Sequence, residues 1–273
     1  MVGAGDSYAA ALCAAYLSRP DCVVLDPYEL IASPELARSR NVVVVSVSGR
    51  TRSNVAAARS VEGIAEETIA VTANEASPLA SVVDRTIPLP LVYRPRWPGI
   101  SSYSLSLAYC CKLLSVELGV NFQRASAAGK KLSRGLRFSR RGSTFFLGNR
   151  ALFAVSIYAA AKVYEFFGAK AQYQRLEEFS HMELFSLKAG DAVNVIGGSD
   201  PLRIGRSLVK SLRAAGYDSG IAAAERANEI ESVFNGVFAV QFAVARWIRE
   251  TGTKRPYILD AGKKLATSDS MIY

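Results

Sequence analysis

The sequence predicts an α/β protein built from two doubly wound halves, and three observations predict it. Short β-branched or aromatic runs alternate along the chain with longer alanine-rich stretches of helical composition. Each run ends in a turn rich in glycine or hydroxyl residues that leads directly into the next helix. The run from Asn41 to Ser46 is four consecutive valines between polar ends, as a strand buried on both faces of a parallel sheet requires. Strand, turn and helix in short succession is the order of a parallel sheet covered by helices.

In the first half, Met1-Val2 ends a strand and the alanine-rich segment Ser7 to Leu17 is a helix. Asn41 to Ser46 is the next strand, Val55 to Val61 a helix and Glu67 to Thr72 a further strand. Ser77-Pro78-Leu79 opens a short helix, with proline where its missing N–H costs nothing. Thr86 to Leu89 contains Pro88 and fits a sheet edge. The second half restarts beyond Gly142. Strands are expected at Ser143 to Leu147 and Ala192 to Ile196. Helices are expected at Ala151 to Phe167, Leu202 to Ala215 and Phe234 to Arg249, followed by a tail from Gly252 to Tyr273. The expected division is a first subdomain over 1–128, a basic linker over 129–142 and a second subdomain over 143–273.

At 273 residues, half of them hydrophobic, the chain is long enough for two buried cores. No apolar run approaches the roughly 20 residues needed to cross a bilayer. Met1 to Asp6 has no basic stretch of the kind that opens a secretory signal. Four cysteines, two of them adjacent in the apolar segment Leu105 to Val116, fit neither a disulfide framework nor a zinc site. A cytoplasmic location is expected, with no metal and no cofactor. The net charge of +9 raises the question of nucleic acid. The one concentration of charge, Lys130 to Arg141, lacks interleaved aromatics and reads as a solvated linker. A small anionic substrate is the expected partner, not nucleic acid and not a membrane.

Ser46 to Asn54 is the most informative loop. Ser46, Ser48, Thr51, Ser53 and Asn54 bring hydroxyls and an amide to the start of a helix, and Gly49 permits close backbone approach. Free N–H groups and the helix dipole favour an anion there. A helix cap uses one hydroxyl, and four are present. Gly3-Ala4-Gly5-Asp6-Ser7-Tyr8 is a second glycine turn. Tyr8 stands where a dinucleotide fingerprint needs its third glycine, whereas Asp6 and Ser7 suit sugar hydroxyls. The single histidine, His181, lies among Glu177, Glu178 and Glu183, and Glu165 lies among Tyr164, Phe166 and Phe167. Both surroundings suit proton transfer.

These segments together resemble the sugar isomerase (SIS) domain family in tandem. Ser46-Val47-Ser48-Gly49-Arg50-Thr51 is similar to its phosphate loop, S-x-S-G-x-T, and Leu147-Gly148-Asn149 to a degenerate second glycine loop. Lys162, Glu165 and His181 have the spacing found in the isomerase half of glutamine–fructose-6-phosphate aminotransferase. Glu178 to Glu183 resembles the E-F-N-H-N-E of archaeal bifunctional phosphoglucose/phosphomannose isomerases, and Pro95-Arg96-Trp97-Pro98 resembles an arginine segment of that branch. There are departures. The aminotransferase G-E-x-x-H-G-P is absent, and Arg50, Arg52 and Ser53 differ from an isomerase branch that carries acidic residues after the threonine.

The resemblance implies an aldose–ketose isomerase acting on a hexose phosphate. Ser46, Ser48, Thr51 and Ser53 hold phosphate, and Gly5, Asp6, Ser7, Lys264 and Thr267 meet the sugar. His181 opens the ring, Glu165 moves a proton between C1 and C2, and Arg96 steadies the enediolate. It also implies a homodimer with the histidine supplied across the interface. Two alternatives remain open at this point: a non-catalytic phosphosugar-binding module and an amino-sugar-phosphate deaminase.

Overall fold

The valine-rich and phenylalanine-rich runs become strands because their side chains are wanted on both faces of a sheet. The structure, a computed structural model, describes residues 1–18, 22–94, 96–198, 203–224 and 227–273. It divides into two units, Met1–Glu117 with Ala261–Tyr273, and Leu118–Asp260. The first unit contains β1 (Val2–Gly3), α1 (Asp6–Leu17), α2 (Pro27–Ala32), β2 (Asn41–Val45), α3 (Arg52–Ser60), β3 (Glu67–Thr72), β4 (Arg85–Pro88) and α4 (Ser101–Leu113). The second contains α5 (Phe122–Leu132), β5 (Thr144–Leu147), α6 (Ala151–Phe167), β6 (Ala171–Gln174), α7 (Leu176–His181), β7 (Ala192–Gly197), α8 (Ile204–Ala214), β8 (Asp218–Ala223) and α9 (Glu229–Thr251). A last helix, α10 (Lys263–Ile272), belongs to the first unit.

Each unit carries one four-stranded sheet, in the orders β1-β2-β3-β4 and β6-β5-β7-β8, and every pairing is parallel. In the second sheet the chain leaves β5, returns on one side as β6 and crosses to the other side as β7. The first unit repeats that path. Leu25 bridges Val2 in parallel, and Val2 also pairs with Val44 of β2, so Leu25 takes the position of β6 on the outer side of β1. A short helix and a 3₁₀ turn follow in both, α2 with Pro34–Ala37 and α7 with Glu183–Ser186. The α/β class with parallel, helix-covered sheets is the expected one. In open sheets of this kind ligands bind beyond the carboxyl ends of strands, near the point where the winding reverses.

The cores are built to this plan. Val42 and Val44 on β2 join Val55, Ala57 and Leu79 in one cluster. Phe145 and Leu147 of β5 join Val193, Val195, Val209 and Phe179 in the other. Ala9, Ala10, Cys13 and Ala14 are completely buried on α1, which packs against α4, where Cys110 and Cys111 are completely buried too. Burial pushes both thiols up, Cys111 to about 12, and leaves them inert at neutral pH.

Several expectations are corrected. The stretch 129–142 is not a linker: α5 covers Phe122–Leu132 and packs along α9, and a 3₁₀ turn covers Ser133–Gly135. Asn121 caps α5 by accepting from the Arg124 N–H at 2.9 Å. Gly129 is buried against Phe238 and Ala239, and an added Cβ would stand 2.9 Å from the Ala239 nitrogen, so this glycine serves close helix packing. The boundary falls after Glu117 rather than 128, and the tail from Ala261 clusters with the first unit, not the second. Helix α3 starts three residues earlier than expected and α9 five. Leu202, expected to open α8, lies outside the described residues.

Asn194 ties the second unit together from the middle of β7. It is completely buried, accepts from the Arg137 N–H at 2.6 Å, and donates to the carbonyls of Arg137 at 2.9 Å and Phe145 at 3.3 Å. Asn194→Ala strands these backbone groups and should lower stability by about 2–3 kcal/mol in urea unfolding; a loss under about 0.5 kcal/mol would count against this role.

Asp84 gives a prediction in pH. Its carboxylate accepts from the Thr68 N–H and hydroxyl, both at 2.7 Å, and these bonds hold it below the usual carboxylate range. A carboxylate whose folded value is depressed stabilises the fold above its unfolded value of about 3.9 and loses that contribution as pH falls. Thermal unfolding between about pH 6 and pH 3 should therefore show a steeper acid limb in wild type than in Asp84→Asn, and identical limbs would refute it.

Candidate functional site

The hydroxyl-rich loop of the first unit is built by two strand ends. Past β2, the Ser46 N–H donates to the Val71 carbonyl at 3.0 Å, and past β3 the Ala73 N–H donates to the Val47 carbonyl at 3.0 Å. The chain then turns through Gly49, whose φ is +62°, and the Gly49 N–H closes on the Ser46 carbonyl at 3.0 Å. An added Cβ on Gly49 would run into the Ser77 side chain, so both the backbone angle and the space demand glycine here. The Leu79 N–H donates to the Gly49 carbonyl at 2.9 Å and braces the turn from the next segment.

Ser46 and Ser48 are buried, at 3 % and 7 % exposure. The Ser48 hydroxyl accepts from the Arg50 N–H at 3.2 Å, which leaves its own proton to donate. Thr51 sits at the N-cap of α3 without a side-chain bond to the helix, and the first turn holds no acidic residue. The first N–H groups of α3 therefore face an end with no built-in anion. Ser53 is half-buried on that turn. Asn54 is 2 % exposed, and among the described residues its Oδ1 has no hydrogen-bond partner.

Tyr93 meets this loop, and two arginines of the same unit reach the tail. A hydrogen bond joins the Tyr93 phenol to Ser48, and burial pushes that phenol above its usual range. Arg52, at the start of α3, donates to the carbonyls of Ser270 at 3.4 Å and of Tyr273. Arg96, at a φ of +63°, forms an ion pair with Asp269 of α10. Pro95, beside it, lies outside the described residues. Of the two tail candidates, Lys264 is exposed, and Thr267 is exposed with its hydroxyl donating to the Lys263 carbonyl at 2.9 Å. The sequence drew attention to neither Tyr93 nor Asp269; the only signal was an aromatic between prolines and arginines in residues 88–98.

At the glycine turn before α1, Gly5 takes φ +57° and ψ −129° as N-cap. A Cβ on Gly3 would lie 2.9 Å from the Tyr8 nitrogen, so this turn is pressed against its own helix. Gly5 is exposed, and Asp6 and Ser7 are half-buried at the start of α1. The Asp6 carboxylate packs on Gly99, where an added Cβ would stand 2.5 Å from Oδ2.

In the second unit, Glu165 lies on the last turn of α6 with its side chain 23 % exposed and forms an ion pair with Lys162. Lys162 is completely buried, and its ammonium lies 5.0 Å from the centre of the Tyr158 ring. The immediate partner of Glu165 is thus a buried cation. His181 ends α7 with 70 % of its side chain exposed, and Nε2 stands 3.1 Å from Oε1 of Glu177. The expected three-carboxylate cluster is reduced: Glu183 instead accepts from the Gln174 amide at 3.0 Å. Among the described residues no group of three histidine, cysteine, aspartate or glutamate side chains is placed to hold a metal, and no helix is long and apolar enough to cross a membrane.

No protein-family profile matches the chain, and no curated protein matches it. Solved structures do. The glucosamine-6-phosphate deaminase of Thermotoga maritima is 18 % identical with a TM-score of 0.73, over 92 % of this chain and 85 % of that one. The tagatose-6-phosphate ketose/aldose isomerase of Escherichia coli is also 18 % identical at 0.73, over 93 % and 82 %. The C-terminal domain of glucosamine-fructose-6-phosphate aminotransferase from Francisella tularensis is 14 % identical at 0.74, over 93 % and 84 %. At such identities the likeness is one of fold: the chain has the two-sheet parallel α/β architecture that these phosphosugar enzymes share.

Proposed function

We propose that this chain is a sugar-phosphate isomerase that interconverts aldose and ketose hexose phosphates, in the manner of phosphoglucose/phosphomannose isomerases. The observation that carries the reading is the ion pair of half-buried Glu165 with fully buried Lys162, in a fold shared with a ketose/aldose isomerase. A pure binding module has no need of a carboxylate paired with a buried lysine.

In this reading the phosphate rests on Ser46, Ser48, Thr51, Ser53 and the first N–H groups of α3. Gly5, Asp6, Ser7, Lys264 and Thr267 meet the sugar. His181, exposed and oriented by Glu177, moves the proton that opens the ring; as the resemblance implies, it acts from a second copy in a homodimer. Glu165 then takes the proton from C2 of the open-chain aldose. The negative charge passes to O1 as the enediolate forms, where Arg96 stabilises it. Return of the proton to C1, with transfer of the O2 proton to O1, yields the ketose. The deaminase structure among the similar folds supports one rival, an amino-sugar-phosphate substrate. Turnover of glucosamine 6-phosphate with ammonia release, and none of fructose, glucose or mannose 6-phosphate, would select it.

Two measurements test the reading. Ser48→Ala/Thr51→Ala should weaken fructose 6-phosphate binding in calorimetry by about 2–4 kcal/mol, from two lost charge-assisted bonds; unchanged affinity removes the loop from the site. Glu165→Gln should cut turnover by roughly 10²–10⁴-fold with little change in affinity. Deuterium at C2 should wash out into solvent with wild type and be retained with the variant. Washout that persists in Glu165→Gln refutes the proton-transfer role. His181→Ala should slow ring-closed substrate far more than the same sugar supplied in open-chain form.

A further inference from the structure

The charge of the chain is not where its phosphate loop is. Residues 1–117 and 261–273, the unit that holds Ser46 to Thr51, contain 12 lysines and arginines and 12 aspartates and glutamates. Residues 118–260 contain 21 and 12. The whole excess of +9 therefore lies in the second unit, and a small anion held at the loop of the first does not account for it.

Within the second unit the fold gathers cations that look dispersed along the sequence. Between 129 and 142 there are six, Lys130, Lys131, Arg134, Arg137, Arg140 and Arg141, and no acidic residue. All are exposed except Arg137, which is half-buried. Helix α8 has no acidic residue either, and Arg206, Lys210 and Arg213 recur along it at the spacing of one helical face, with Arg203 at its start, all exposed. Both segments pack against β8, the outer strand of its sheet. Gly135 and Gly220 meet backbone to backbone, Arg137 pairs with Asp218 at 3.4 Å, and Arg213 donates twice to the Ser219 carbonyl, at 2.9 and 3.1 Å. The two segments thus meet at β8 through Arg137 and Arg213 and carry ten cations between them, with Arg137 paired to Asp218 and Arg140 donating to the Glu250 carbonyl at 2.6 Å.

We propose that this surface binds the phosphate backbone of a nucleic acid. Seven of the ten cations are arginine, whose planar fork pairs with phosphate oxygens bidentately. Among the exposed large hydrophobic side chains only Ile204 belongs to these segments. A membrane surface calls for an apolar face to insert, and a protein interface for an aromatic or aliphatic centre; this surface has neither. Among the described residues these segments expose no aromatic side chain for stacking, so the contact is with backbone rather than splayed bases, and it is independent of sequence.

The test is fluorescence anisotropy of the full chain with a labelled duplex of about 20 base pairs of arbitrary sequence, at a series of salt concentrations. With about four phosphates contacted, affinity should fall roughly 100-fold between 50 and 200 mM NaCl. Lys130→Gln/Lys131→Gln/Arg134→Gln/Arg206→Gln/Lys210→Gln spares the internal contacts of Arg137 and Arg213. It should weaken binding at least about tenfold and flatten the salt slope. Circular dichroism checks its fold, and Arg206→Gln/Lys210→Gln alone, with a smaller loss, serves if it does not fold. Excess fructose 6-phosphate should leave duplex binding unchanged. Failure to bind duplex, equal affinity for polyglutamate or for phosphatidylserine vesicles, insensitivity to the substitutions, or competition by fructose 6-phosphate each overturns the proposal.

Discussion

Both units depend on one constraint: the helix that follows the first strand must sit hard against the strand it leaves. In the first unit Gly3 has the α1 backbone within van der Waals distance of where a Cβ would be. In the second Gly148 stands in the same relation to Leu152 and to Ser156 of α6. Two residues on, both chains take the same unusual backbone angles, φ +57° and ψ −129° at Gly5 and φ +52° and ψ −129° at Arg150. Glycine adopts that conformation freely; arginine does so under strain. Arg150 is held there by Glu229, which accepts from its guanidinium at 2.8 and 3.4 Å. The turn is thus conserved in shape between the halves while its chemistry is not. In one half it leaves an open backbone at a helix start; in the other it carries a side chain committed to an ion pair.

The repeat also explains what the sequence made legible. β2, β3, β5 and β7 are central or doubly covered, so their hydrophobic runs are continuous and visible. β6 and β8 lie at sheet edges and read Ala-Gln-Tyr-Gln and Asp-Ser-Gly-Ile-Ala-Ala, with no period or β-branched run to mark them. Helix α5 was hidden by its basic end, which reads as a solvated linker, whereas Gly129 packs on α9. Leu25 is an isolated bridge of one residue, which no pattern reveals, yet it is what makes the two halves topologically alike.

For the candidate site, the loop Ser46 to Thr51 was readable because hydroxyls crowded at a helix start have few other uses. The partner Tyr93 was not, since it comes from a distant point in the chain and carries no local pattern. Glu165 is instructive in a different way. Its aromatic neighbours in sequence gave no hint of its partner: the structure pairs it with Lys162, which is completely buried with its ammonium against the Tyr158 ring, and burial of a charged side chain is something sequence pattern rarely gives away.

The two kinds of anion recognition argued for this chain differ in their physics, and the distribution of charge is what separates them. The loop of the first unit offers hydroxyls, backbone N–H groups and a helix start within a unit of zero net charge. In the proposed function its hold on a phosphate would be short-ranged, dependent on geometry and little screened by salt, because buried donors such as Ser46 and Ser48 would act inside the first contact. The surface beside β8 offers the reverse: many exposed cations, few fixed directions and a field that reaches about a Debye length into solvent. Such a surface gains most from releasing counterions of a polyanion and gains little from one dianion. Positive charge added to the loop would strengthen binding of every anion alike, product included. With the net charge on the other unit, the proposed loop site would discriminate by fit while the proposed attraction to a polyanion is carried elsewhere.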